Sequence, residues 1–213
     1  MKFFSKKIKK GSCLFEKSKK SIFRTHLKEV LRSNGIEIAQ VFDEKVKSWL
    51  GFREIVPIPK NESISYPFFI SIGNNKMRKL VSKRIKGTCT TAVHANSIVS
   101  NDVSIGDGTC VMMGAIIQTA TSIGKHCIIN TSASVDHDCV IEDFVHVSPN
   151  ATLCGNIVVG EGTQVGAGAV IIPGITIGKW AVIGAGAVIV KNVPDGATVV
   201  GNPGKVVKVD HLI

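Results

Sequence analysis

The chain has 213 residues, a formal net charge of +10 and 44% hydrophobic residues, which is enough for one large domain or two modest ones. The basicity belongs to the front: residues 1–90 carry 21 Lys and Arg against 7 Asp and Glu, whereas residues 91–213 carry 5 against 9. The longest apolar run, Ile157 to Val190, is interrupted by glycine at almost every turn and is excluded as a membrane span.

Residues 1–20 hold eight lysines and one glutamate, the composition of a solvated or poorly ordered arm; nucleic-acid or membrane-surface binding is the alternative, without an aromatic platform to support it. The lysines are not followed by an apolar stretch before Glu16 and Lys17, so a signal peptide is not expected. A small α/β unit comes next. Ser12 to Phe15 reads as a first strand. Ser21 to Ser33 has Phe23, Leu27, Val30 and Leu31 at helical spacing, and Asn34-Gly35 supplies a left-handed stop. Ile36 to Phe42 reads as a second strand with Asp43 and Glu44 at its carboxyl end. Beyond Pro57 and Pro59, Phe68 to Ile72 reads as a third, and Gly73-Asn74-Asn75 opens a basic helix through Arg84. This order makes a Rossmann-like parallel sheet whose ligand crevice would gather Asp43, Glu44 and Gly73, although ordinary turn residues would give the same pattern.

From Val93 to Ile189 the chain obeys a period of six. Every sixth residue over seventeen positions is Val, Ile or Leu, and the residue two before it is mostly small. Neither a helix nor a single strand repeats in this way. A short strand and a turn, three times per coil, does so with both residues pointing inward, and the glycines that follow the aliphatics (Gly106, Gly124, Gly160, Gly166, Gly178, Gly184) are expected to ease the corners. The prediction is a parallel β-helix of between five and six unbroken coils, rising about 4.8 Å each. Thr88 to Thr91 enters it without a linker, Val193-Pro194-Asp195-Gly196 turns out of it, and Val199 to Lys205 forms a strand and loop over its open end. The expected division is residues 1–87 as the α/β unit with its basic arm, 88–190 as the β-helix and 191–213 as a cap. Six cysteines lack metal-finger spacing, and Cys127 and Cys139 fall at the small inward position, which predicts reduced thiols and a cytoplasmic setting.

His126, His137 and His146 occupy neither inward position. His137 stands between Asp136 and Asp138, and a carboxylate that accepts one ring N–H fixes the tautomer and raises the basicity of the other nitrogen; a surface histidine among turn acids is the plainer reading.

Residues 88–205 resemble the sialic acid O-acetyltransferase and bacillosamine N-acetyltransferase branch of the hexapeptide-repeat acyltransferases. The resemblance rests on Ile129-Asn130-Thr131, Asp136 to Ile141, Phe144 to Ser148, Gly155-Asn156, Gly166-Ala167-Gly168, Gly184-Ala185-Gly186 and Val200-Gly201-Asn202-Pro203. It extends to Gly73 to Lys79 and Asp43-Glu44. It implies a left-handed β-helix, His137 as catalytic base with Asp138 increasing its basicity, and His146, Ala167 and Ala185 contacting acetyl-coenzyme A. It further implies Asp43, Glu44, Gly73 and Asn130 on the side of a nucleotide-linked amino sugar, no metal, and a place in bacterial surface-glycan biosynthesis. One departure concerns the acceptor. Where the family carries a glycine-rich turn with a histidine, this chain has Ser18 to Arg24 without glycine, so a close backbone cradle for phosphate is not expected.

His137 and His146 are nine residues apart, half of an eighteen-residue coil, and so lie on different sides of the prism. If both serve one thioester, neighbouring subunits must supply them, which predicts a homotrimer with sites between prisms. The expected reaction is direct acetyl transfer from acetyl-coenzyme A to an amine or hydroxyl of a sugar. Two rivals are a γ-type carbonic anhydrase, whose zinc-ligand pattern the histidine spacings do not resemble, and a non-catalytic β-helix scaffold.

Overall fold

The computed structural model describes residues 12–16, 29–35, 38–43 and 67–210. From β4 (Ala92–Val93) to β20 (Val188–Ile189), strands of two residues recur every six residues and pair in parallel with strands eighteen residues away. Ile128 and Ile129 lie between Cys110 and Val111 on one side and His146 and Val147 on the other. The result is a parallel β-solenoid of about six turns with three faces. The first face begins at β4, the second at β5 (Ile98–Val99) and the third at β6 (Ser104–Ile105).

Packing explains the period. The predicted inward aliphatics from Val111 to Ile189 are all buried in one cluster, each contributing about 1.5–3 kcal/mol relative to exposure. The small inward position does more than fill space. Thr109, Thr121 and Thr163 are buried there, and each hydroxyl donates at 2.7–2.8 Å to the carbonyl fifteen residues ahead. The Cys127 and Cys139 thiols do the same at 3.0 and 3.2 Å, and burial pushes the Cys127 thiol up to about 12. These are the reduced, inward cysteines the repeat predicts.

The corners differ from expectation in one respect. Positive φ does not fall on the glycine directly after the aliphatic but two residues further on, at every sixth position from Gly108 to Gly186. Eight of these positions are not glycine: Ala120, His126, Ser132, Asp138, Phe144, Asn150, Asn156 and Trp180, with φ between 54° and 60°. The glycine after the aliphatic is required by close approach instead. A Cβ on Gly166 would lie 2.5 Å from the Ala185 nitrogen of the next coil. Inter-coil hydrogen bonds offset the unfavourable corner conformation, among them Asn156 N to His137 O at 2.9 Å and Phe144 N to Lys125 O at 2.8 Å.

In front, β1 (Ser12–Glu16), β2 (Ile38–Asp43) and β3 (Phe68–Ile70) form a parallel sheet in the order β2-β1-β3. The three strands therefore fall where the sequence places them, with shifted ends. The predicted Ser21–Ser33 helix is represented by residues 29–33, and Gly35 takes the expected left-handed stop at φ 67°. The remainder of that helix, Ser18 to Arg24, Glu44 and most of the basic arm lie outside the described residues. Helix α1 (Asn75–Ser82) starts at Asn74, whose side chain accepts from Met77 N at 2.9 Å. Its buried positions Asn75, Arg78 and Val81 fall on one face. The chain then passes into the solenoid through a parallel bridge between Phe68 and Cys89. At the far end β21 (Ala197–Val200) continues the first face and pairs antiparallel with β22 (Lys205–Val209).

Candidate active site

The three corners of the solenoid carry different groups. The corner between the third and first faces is covered by α1. Here the His126 and Phe144 rings stack with centroids 5.1 Å apart, and Lys79 pairs with Glu161 while its Nζ lies 5.2 Å from the Trp180 ring centroid. Burial, aided by the Arg78 charge, pushes His126 down to about 4. His126 is thus a packing group.

The corner between the second and third faces carries His137 and Asp138. His137 Nδ1 and Asp138 Oδ2 are 2.7 Å apart, with the side chains 53% and 60% exposed. The left-handed φ of 58° at Asp138 belongs to the solenoid corner, and an aspartate tolerates that conformation. The two flanking carboxylates have separate tasks: Asp138 meets the ring, whereas Asp136 Oδ1 accepts from the His137 backbone N–H at 2.8 Å. The hydrogen bond that the ring donates to Asp138 holds His137 above the ordinary histidine value, with smaller help from the Asp136 charge. Gly155 of the next coil supports the ring so closely that a Cβ there would meet His137 Cε1 at 2.5 Å. A basic imidazole on a half-exposed side chain, with Asp138 engaging only Nδ1, is a competent proton acceptor at Nε2.

The corner between the first and second faces carries Ala167 and Ala185, exposed and stacked one coil apart, each followed by a positive-φ glycine. A Cβ on Gly168 or Gly186 would meet nothing within 4 Å, so the backbone here is open to an approaching ligand.

His146 lies on the first face, opposite the His137 corner. Its Nε2 is 3.0 Å from Asn130 Nδ2, and Asn130 Oδ1 accepts from Thr131 N at 2.8 Å. Gly73 and Gln164 lie close to the ring. Burial, followed by the nearby Arg78 charge, drives His146 down to about 3. The structure therefore brings Gly73, Asn130 and His146 together and places Ala167, Ala185 and His137 on two other edges. Asp43 ends β2, on the same side of the parallel sheet as Gly73 beyond β3.

Sequence reasoning missed Arg78, Asn75 and Gly155. Arg78 is fully buried, and its side chain reaches the carbonyls of His126 and Phe144 at 2.7 and 2.8 Å. Asn75 Nδ2 donates to Gly162 O at 3.0 Å. The eighteen-residue step from His137 to Gly155 was available in the sequence; nothing there distinguished Arg78 from its basic neighbours. Among the described residues no three His, Cys, Asp or Glu side chains gather as a metal site, and no helix is long and apolar enough to cross a membrane.

The family described as bacterial transferase hexapeptide (six repeats) matches residues 156–191. A stretch of 85 residues is 41% identical to UDP-N-acetylbacillosamine N-acetyltransferase of Bacillus subtilis (strain 168), covering 35% of this chain and 39% of that protein's length. Two solved structures are similar across nearly the whole chain. PerB from Caulobacter crescentus, in complex with CoA and GDP-perosamine, is 30% identical with a TM-score of 0.83, covering 92% of this chain and 97% of its own. The acetyltransferase domain of PglB from Neisseria gonorrhoeae FA1090, in complex with acetyl coenzyme A, is also 30% identical with a TM-score of 0.83, over 92% and 98%. The chain belongs to the hexapeptide-repeat family of acetyltransferases that includes these sugar-modifying proteins.

Proposed function

We propose that this protein transfers the acetyl group of acetyl-coenzyme A to an amine or hydroxyl of a nucleotide-linked sugar, as a step in bacterial surface-glycan biosynthesis. The observation that carries this reading is the exposed His137–Asp138 pair at 2.7 Å, in a chain whose similar structures hold CoA, acetyl coenzyme A and GDP-perosamine.

In the proposed mechanism the acceptor adds directly to the thioester carbonyl while His137 Nε2 takes its proton, and Asp138 holds Nδ1 and steadies the imidazolium. The thiolate of coenzyme A then leaves and receives a proton. Ala167 and Ala185 offer open backbone to the coenzyme, and a main-chain N–H near the thioester would stabilise the oxyanion by a few kcal/mol. Asp43, Glu44, Gly73 and Asn130 are assigned to the acceptor. Their grouping rests on the parallel front sheet, taken as a Rossmann-like acceptor unit over residues 1–87, packed on a left-handed solenoid over 88–190 that is capped by 191–213. His146 is assigned to the thioester in a site shared between subunits of a homotrimer, because in one chain it lies across the prism from His137.

A thiol-release assay with acetyl-coenzyme A against a panel of nucleotide-linked 4-amino sugars and free sialic acids tests the proposal. Turnover with at least one sugar is expected. His137→Ala should lower kcat by about two orders of magnitude while coenzyme binding persists. Full activity in that variant would overturn the mechanism, and no turnover with any acceptor would favour a scaffold.

A further inference from the structure

The turn that carries His137 is held from inside the solenoid. His137 and Asp138 are the central residues of the turn 136–139, and Thr121 of the preceding coil is buried beneath it, 2% exposed. Thr121 Oγ1 donates to Asp136 O at 2.8 Å and accepts from the Cys139 N–H at 3.2 Å. A hydroxyl has one proton to give and lone pairs to receive with, so a single group bridges both ends of the turn. Where the residue eighteen positions earlier is alanine, the same turn closes directly. Ala133 N donates to Asn130 O at 3.0 Å above Ala115, and Ala151 N to Ser148 O at 3.2 Å above Ala133.

The rest of the His137 turn is tied as firmly. The His137 N–H donates to Asp136 Oδ1 at 2.8 Å, its carbonyl accepts from Asn156 N at 2.9 Å, and Asp138 N donates to Thr119 O at 3.2 Å. One coil on, the Cys139 thiol donates at 3.2 Å to Cys154 O, at the start of the turn whose Gly155 lies against the His137 ring. Thr109 makes the same bridge under the turn 124–127, donating to Gly124 O at 2.7 Å and accepting from Cys127 N at 2.9 Å. That turn carries His126, a packing group, and so provides a control of the same chemistry away from the proposed base.

We infer that Thr121 is a positioning residue: its hydroxyl, bridging Asp136 O and Cys139 N, sets the turn that brings the His137 ring to Asp138 and against Gly155. It acts through the backbone of that turn. The kinetic consequence rests on the proposed acetyl transfer; the placing of the ring does not.

The test compares Thr121→Val with Thr109→Val, each the loss of one bridging hydroxyl at nearly constant shape. Proton NMR of the histidine ring C–H groups in the full chain follows His137, whose signals are identified by their loss in His137→Gln. In Thr121→Val the ring should draw away from Asp138, and its midpoint should fall by about half a pH unit or more toward the ordinary value of about 6.5, while Thr109→Val leaves it in place. The carboxylates beside the ring are Asp136 and Asp138. Both variants should melt lower by about 3–6 °C. Thr121→Val alone should lower kcat, about tenfold, with the KM for acetyl-coenzyme A changed less than about twofold. Thr121→Ser, which keeps the hydroxyl, should restore kcat and the midpoint. Should Thr121→Val not fold, Thr121→Ala is read in the same way, since its turn can close directly as it does above Ala115. A folded Thr121→Val or Thr121→Ala protein with the wild-type midpoint and kcat overturns the inference, as do equal losses in Thr109→Val or a Thr121→Ser protein as impaired as Thr121→Val. A lowered His137 midpoint in a protein that turns over no acceptor would overturn the acetyl-transfer reading and leave the positioning role standing.

Discussion

The His137 imidazole lies against Gly155, one coil on, with no room for a side chain between them: a Cβ at residue 155 would come within 2.5 Å of Cε1 and 2.6 Å of Nε2. Gly155 is not in a left-handed conformation, and the atoms a methyl would meet belong to a movable ring. Gly155→Ala is therefore a perturbation aimed at the proposed base alone. It should leave the unfolding temperature within about 2 °C and lower kcat roughly ten- to a hundredfold by displacing the ring. Paired thermal melts and steady-state rates check both halves; unaltered kcat would mean that the ring position is immaterial.

Asp138→Asn keeps a residue that tolerates positive φ at this corner and removes only the charge. Because the Asp138 hydrogen bond raises the His137 pKa, its loss should move the acidic limb of the kcat profile to lower pH. The plateau should fall roughly ten- to a hundredfold, as a weaker base accepts the proton. A limb that stays in place would show that another group controls the rate.

Stability should fall in acid through histidines other than His137. Burial depresses His126 to about 4 and His146 to about 3, so the native state binds these protons later than the unfolded chain, whose histidines titrate at about 6.5. Between these values the unfolded state holds more protons. Unfolding free energy should therefore be full above about pH 6.5 and decline as pH drops, by up to about 1.4 kcal/mol per pH unit for each group. Urea titrations from pH 7.5 to 4.5 measure the slope. In His126→Gln the slope should shrink, and an unchanged slope would assign the acid sensitivity elsewhere.

Subunit sharing has a direct signature. If each site takes His137 from one chain and His146 from its neighbour, His137→Ala and His146→Ala proteins should each be nearly inactive, and co-refolding an equal mixture should restore activity at about a quarter of the sites. Separately refolded and then mixed samples provide the control. A co-refolded mixture as inactive as its parents would place the site within one chain.

Most of the solenoid was legible in the sequence because its core is a one-dimensional pattern. A residue six positions from a buried valine meets the same environment, so the period alone places the aliphatics from Val111 to Ile189 inside. Small residues follow the same rule, down to thiols at Cys127 and Cys139. The corners were less legible. Local steric preference points to glycine wherever φ is positive, yet Phe144 and Trp180 sit at such corners because inter-coil hydrogen bonds and stacking hold them there.

The sequence by itself determined the period, the inward residues and the pairing of His137 with its neighbouring aspartate, since each depends on residues close together along the chain or separated by a fixed step. Tertiary structure alone decided that Gly73 comes beside the His146–Asn130 pair, and that Arg78 is buried. These facts depend on how α1 docks on a corner of the solenoid, where the His126 and Phe144 carbonyls of two successive coils join three nearby acceptors on a single guanidinium, and no local pattern encodes that convergence.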